Sequence, residues 1–251
     1  MLVLIGALLV SYIFPLTTHF VLKGLHGKED KEYRKDCRKL LLNGLLLGFP
    51  VFLFSLVCNI VFSLTHIGEI YPFIKLLFDA FILKAFSEEL MKYLLARKRI
   101  KNRRSEISFL DLMAYTTASA IGFEIMESVV YMFSTNVPQI LVRGITNMHA
   151  CFGLIMGYVM AKGYKKNRKG SVALAILIST LIHGIYDLCL DDTLVDTDWG
   201  LVALLIAVFC FGLTIYNYFF MNKAKKKEYY TEPLFPGESG QAPAVTVENQ
   251  G

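Results

Sequence analysis

Seven apolar runs, at 2–22, 40–64, 70–96, 109–133, 139–161, 171–190 and 201–221, take up most of this chain, each bounded by basic or acidic residues. A helix needs about 20 apolar residues to cross a hydrocarbon core of roughly 30 Å, and each run is of that order. In lipid every backbone N–H and C=O must be paired inside the protein, which a helix does within one segment. The alternation over segments of about 10 residues that marks a membrane barrel is missing. With 55% of residues apolar and 19% charged, little chain is left for a separate soluble domain. The expected fold is all-α: a polytopic membrane protein, a bundle of about seven transmembrane helices over 1–221 with its chemistry in 70–190. A basic and then disordered cytosolic tail is expected over 222–251.

The basic residues test this map. Seven Lys and Arg lie in 23–39, six in 97–104, five in 162–169 and four in 223–227, which is 22 of the 26. The alternate connections 65–69, 134–138 and 191–200 hold none. Cytosolic loops collect Lys and Arg, so the N-terminus is expected outside and the C-terminus in the cytosol. On this reading the net charge of +5 reports orientation, the partner is the lipid bilayer, and nucleic acid is not a partner. The first run has no basic flank before it and no clear small-x-small cleavage site, and is expected to stay as a span. Five cysteines without CxxC spacing are expected to be packing residues, neither bridged nor zinc-bound.

The remaining cations, Lys75, Lys84, Lys92 and Arg143, lie inside spans, together with Asp79, Glu88, Glu89, Glu124, Glu127, His149, His183 and Asp187. A charge at mid-membrane costs at least ~2.5 kcal/mol on insertion scales, so such residues pair with one another and line functional cavities. In the third span Lys84, Glu88 and Lys92 follow at i, i+4, and Glu89 reaches Lys92 at i+3, which predicts an ion-pair ladder on one face. Tandem carboxylates in low dielectric cannot both ionise cheaply, so one of Glu88 and Glu89 is expected to take a proton from water. Glu124 and Glu127, three apart, are expected to face the bundle interior. Asp187, four residues after His183, is placed to orient its imidazole. Singly, each of these is an ordinary satisfied polar residue. Two His and several Glu on four neighbouring spans have the composition of a metal or general-base site.

Other membrane-protease signatures do not fit. HExxH and GxGD are missing, and the GxSG tetrad at Gly237-Glu238-Ser239-Gly240 falls in the polar tail. What the chain does carry, one motif per span in order, is Glu88-Glu89-x-x-Lys92, Phe123-x-x-x-Glu127 with Tyr131, Arg143 with His149, and His183-x-x-x-Asp187. This series resembles the PrsW family of intramembrane proteases and, more distantly, the CAAX-processing and bacteriocin-processing proteases. The resemblance implies a peptidase in the bacterial cytoplasmic membrane that cuts a membrane-anchored protein, such as an anti-sigma factor, at a position outside the membrane. It implies catalytic roles for Glu88, Glu89, His183, His149 and Glu127, supported by Lys92, Asp187, Arg143 and Glu124. Relatives place a His where this chain has Glu127, a gap that His149 fills in this reading, and Ser128 stands where Asn is expected.

The mechanism expected is water activation by the tandem glutamates, with His149 and His183 either stabilising the oxyanion or binding Zn2+ together with Glu127. Metal and metal-free forms stay open. An ion-coupled or proton-coupled transporter is the alternative, since buried Glu, His and Lys also make ion paths; an inactive scaffold or receptor is a third reading. Depth poses a test. At about 1.5 Å per residue, Glu88 stands about 13 Å from the inner boundary and His183 about 12 Å from the outer one, so the two must be brought level for a single site.

Overall fold

The computed structural model describes residues 2–25, 30–131, 133, 146–191, 193–194 and 198–235. Among these the chain is helical, with no strand and one isolated bridge, Ser108 to Pro233. The first run gives α1 (Leu2–Ser11) and α2 (Ile13–Lys23). Helix α3 (Lys31–Gly44) starts in the basic connection, where the Asp30 carboxylate caps it by accepting the Tyr33 N–H at 2.8 Å. Its apolar face, with Tyr33, Cys37, Leu40 and Leu41, is buried, and its Lys and Arg face outward. After a short turn α4 (Gly48–Ser63) continues at a 47° bend. The short α5 (Ile67–Ile70) and α6 (Pro72–Phe78) lead into a π-helical segment, Asp79–Phe86, and then α7 (Ser87–Asn102). Beyond these come α8 (Phe109–Tyr131), α9 (Met148–Lys165), α10 (Ser171–Cys189), α11 (Asp198–Ala224) and the single turn α12 (Glu228–Thr231).

Ile5–Lys23, α10 and α11 are each long and apolar enough to cross a membrane, and the bent pair α3 and α4 makes a fourth such span. This is an all-α membrane protein. The third run is helical without a break from Pro72, through α6, the π segment and α7, so it forms one helix with a π turn in its middle. Helices α8 and α9 are more polar because neighbours enclose them: every residue of α8 from Phe109 to Glu124 is buried. A helix that touches protein on all sides has no need of a lipid-compatible surface.

Helix α8 is the hub, packed most extensively against α9 and α3. It begins with a capping box in which the Ser108 N–H donates to Asp111 Oδ2 at 2.7 Å and the Asp111 N–H to Ser108 Oγ at 3.2 Å. Close approach of α9 rests on Gly153 and Gly157, spaced as small-xxx-small. A Cβ at these positions would stand 2.8 Å from Thr117 Cα and 2.5 Å from Met113 Cα. The gap so closed lets Thr116 Oγ1 donate to the Gly153 carbonyl at 2.7 Å. All five cysteines are free, and Cys58 alone of them is not fully buried.

The start of the tail is packed, contrary to the disorder that its composition suggests. The Leu234 N–H donates to the Ile107 carbonyl at 2.8 Å, Tyr230 lies edge-on to Phe109, and the Arg104 guanidinium sits 3.9 Å from the Phe235 ring centroid. Aromatic side chains clustered at 229–235 outweigh the polar character of that stretch. The Gly237–Gly240 tetrad lies outside the described residues, as does Arg143.

Candidate active site

The π segment sets the stage for Glu88 and Glu89. Widening the helix to i→i+5 leaves carbonyls without their usual partners, and hydroxyls take them up: Ser55 Oγ donates to the Leu83 carbonyl at 2.6 Å, and Ser87 Oγ to the carbonyls of Leu83 at 2.5 Å and Lys84 at 2.9 Å. The wider turn also takes Lys84 out of line with Glu88. Lys84 is exposed, and the expected ladder is reduced to its second half, Glu88 and Glu89 with Lys92.

That half is deeply buried: Glu89 is 0% exposed, Lys92 1% and Glu88 7%. Lys92 Nζ donates to Glu89 Oε1 at 2.8 Å, Glu88 Oε2 at 3.2 Å and His149 Nδ1 at 2.8 Å, so its three protons meet three acceptors. The Phe123 ring centroid is 4.5 Å from the ammonium, and Ser119 Oγ holds the Lys92 carbonyl at 3.1 Å.

An ammonium only donates, which makes His149 Nδ1 the acceptor and leaves Nε2 to face Glu127 Oε2 at 2.6 Å and Glu88 Oε2 at 3.8 Å. His149 is the second residue of α9, and its backbone N–H donates to Glu124 Oε2 at 2.9 Å. Glu124 thus caps α9 from a different helix, where an anion is favoured. Asn147, just before it, takes a left-handed conformation (φ 49°) and donates from Nδ2 to Thr18 Oγ1 at 3.0 Å.

His183 is held from both sides. Nδ1 meets Glu89 Oε1 at 3.1 Å, and Nε2 faces Asp187 Oδ2 at 3.3 Å and Glu88 Oε2 at 3.8 Å. Asp187 does approach the imidazole as its spacing suggested, but the group at Nδ1 is Glu89, from another helix. Phe152 stacks on the His183 ring at 4.8 Å and 22°. The distances answer the question of depth, because Glu88, Glu89 and His183 form one cluster. A small cavity of ≈ 10 Å³ adjoins it, lined among others by Glu124, His149, Phe152, His183, Tyr186 and Asp187.

The expected site residues Glu88, Glu89, Lys92, Glu124, Glu127, His149, His183 and Asp187 therefore come together from α7, α8, α9 and α10. Sequence reasoning missed Phe152, Asn147 and Ser119. Phe152 follows His149 at i+3, the spacing that puts both on one face of α9.

Among the described residues one group could hold a metal ion: Glu88, Glu89, His149 and His183, all buried, whose ligating atoms lie within 4.8 Å of one another. Imidazole with carboxylate is a zinc-hydrolase donor set. Glu89 Oε2 is buried without a hydrogen-bond partner, a position that an added cation would relieve. The residues fit a divalent metal.

A family model described as PrsW family intramembrane metalloprotease matches residues 37–214. Curated proteins named Protease PrsW are similar. That of Halalkalibacterium halodurans is 31% identical over 193 residues, 72% of this chain and 82% of the relative. That of Oceanobacillus iheyensis is 27% identical over 162 residues, 61% of this chain and 75% of the relative, and that of Bacillus subtilis is 26% identical over 154 residues, 59% and 66%. No solved structure matches the chain significantly. With the match extending from α3 into α11 across every helix of the buried cluster, this chain belongs to the PrsW family of intramembrane metalloproteases, and it is a peptidase.

Proposed function

We propose that this protein hydrolyses a peptide bond in a membrane-anchored protein near the outer face of a bacterial cytoplasmic membrane, with Glu88, His149 and His183 at the reacting centre. The observation that carries this is that Glu88 Oε2 lies 3.8 Å from Nε2 of both histidines, in a cluster drawn from four helices. A zinc ion would be held among Glu88, Glu89, His149 and His183 and would supply Lewis-acid polarisation of the scissile carbonyl. Glu89 Oε1 also orients His183 through Nδ1, whereas the Lys92 bond to His149 Nδ1 would have to open for His149 to ligate through Nε2, because a neutral imidazole bound at Nε2 carries its proton on Nδ1.

Proton transfer then falls to Glu127. Its carboxylate stands one hydrogen bond from His149 Nε2, and its side chain is 15% exposed against 9% for Glu88 and 0% for Glu89. It takes a proton from the attacking water and returns it to the leaving amine. This divides the roles differently from the tandem-glutamate expectation, exchanging Glu88 and Glu127 between ligand and base. Position favours cleavage near the outer boundary, since Glu127 lies four residues from the end of α8 and His149 at the start of α9. Those ends lie away from the basic connections 97–104 and 162–169, in keeping with a seven-span topology.

The test is metal content and cleavage of a co-reconstituted single-span substrate, measured on the same preparations. Glu127→Gln is expected to keep the metal and lose roughly 10²- to 10⁴-fold in rate, and Glu88→Gln to lose both. Full activity in Glu127→Gln sinks this division of roles. A metal-free reading, with Glu88 as the base, has one observation behind it: Lys92 already supplies a positive charge 3.2 Å from Glu88 Oε2. It is supported if a chelator leaves the rate unchanged. The transporter reading has no comparable observation in its favour.

A further inference from the structure

Two cavities remote from the catalytic cluster adjoin α9 and share one lining residue, Tyr158. The first, ≈ 340 Å³, lies at the turn between α9 and α10. Lys162, Lys166, Arg168 and Lys169 form its rim, while Leu174 and Ile178 give it an apolar floor. The second, ≈ 200 Å³, is a groove between α9 and α11 lined by Ile155, Leu213 and Phe220 among others. Tyr158 belongs to both, which makes the two cavities neighbours along α9. Neither lining contains an acidic residue.

The rim is shaped by its backbone. Asn167 (φ 53°) and Gly170 (φ 81°) take left-handed conformations, and the Arg168 N–H closes back on the Gly163 carbonyl at 2.9 Å. Four cations are thus gathered within eight residues at the end of two membrane-embedded helices. Lys162 Nζ stands 5.6 Å from the Tyr158 ring centroid, where the charged rim meets the apolar floor. A second basic groove, lined by Lys23, Lys31, Arg34, Lys35 and Arg38, offers the contrast: no apolar residue lines it, so it serves as a solvated, orientation-setting surface.

A ligand matching the first site needs a negative headgroup and an aliphatic tail pointing along the membrane. We propose that these two neighbouring cavities bind one anionic glycerophospholipid, its phosphate among Lys162, Lys166, Arg168 and Lys169 and one acyl chain laid past Tyr158 into the groove between α9 and α11. Basic pockets between helices at the membrane boundary select such headgroups by charge, and the acyl groove distinguishes a lipid from free phosphate. Because α9 also carries His149, the lipid buttresses the helix that presents a catalytic imidazole.

Native mass spectrometry of the full chain in detergent, with equimolar dioleoylphosphatidylglycerol and dioleoylphosphatidylcholine, tests this. The expected result is retention of the anionic lipid by about tenfold over the zwitterionic one, lost when Lys162, Lys166, Arg168 and Lys169 are all changed to Gln. Changing Lys31, Arg34, Lys35 and Arg38 to Gln is expected to leave the preference intact. Leu213→Trp keeps every charge and the topology while filling the groove, and is expected to weaken retention of the anionic lipid even if the fourfold variant fails to insert. Equal retention of the two lipids, an unchanged preference in the fourfold variant, or unchanged retention in Leu213→Trp overturns the proposal. Displacement of the lipid by millimolar inorganic phosphate also overturns it, in favour of a soluble-anion site.

Discussion

Lys92 is the residue on which the charge balance of the site turns. Its ammonium serves two carboxylates and an imidazole while 1% exposed, so removing it strands negative charge in a water-poor interior. Lys92→Met is expected to cost about 3–5 kcal/mol, the penalty for breaking a buried pair from one side, read as a lower thermal midpoint in detergent. Glu124 acts at one remove, by holding the backbone N–H of His149 at 2.9 Å. Glu124→Ala is expected to lower kcat by roughly 10- to 100-fold, the range for groups that position a ligand, with KM little changed. Glu124→Gln, which keeps an acceptor oxygen, is expected to recover most of the rate; equal loss in both variants would show that the charge matters and the acceptor does not. Which residues gather in the buried cluster was legible from their type and order alone, because an ionisable group inside an apolar run is too costly to keep unpaired. Their pairing was not. Glu89 to His183 and Lys92 to His149 are contacts across 94 and 57 residues, and no local spacing encodes them.

At the scale of the element, apolar runs of the right length marked where helices lie, but the irregularities within them stayed hidden. The i, i+4 rule that placed Lys84 beside Glu88 assumes 3.6 residues per turn, and the π segment over Asp79–Phe86 suspends it. The contact of α9 with α8 is of the other kind, since Gly153-x-x-x-Gly157 is visible in the sequence, although its partner Met113-x-x-x-Thr117 is not. Gly157→Leu is expected to push α9 away from Met113 and Thr116, destabilising the fold by at least about 1–3 kcal/mol as overpacking does. The measurements are the thermal midpoint and crosslinking between cysteines placed at the two ends of the interface. An unchanged midpoint would mean that the helices do not meet in this way.

At the scale of the whole molecule, function depends on which side of the membrane the cluster faces. The ends of α8, α9 and α10 that bear Glu127, His149 and His183 lie away from the basic connections, and under the proposed topology the Lys and Arg distribution is expected to set the compartment of cleavage. A reporter active only in the cytosol is expected to be active when fused after residue 224 and silent when fused at the N-terminus. The reverse pattern would move the cleavage to the inner face.

The sequence by itself determined solvent, helix content and the identity of the residues that cluster in the interior, because lipid forbids unpaired backbone and unpaired charge wherever they occur along a chain. Only the tertiary structure decided that Glu88, on a helix entered through a π turn, stands level with His183, and which carboxylate serves which imidazole. Those relations depend on how far one helix slides and turns against another. That is settled by close packing at Gly153 and Gly157 and by the convergence of Lys92 on three acceptors, and no periodicity in the chain records either.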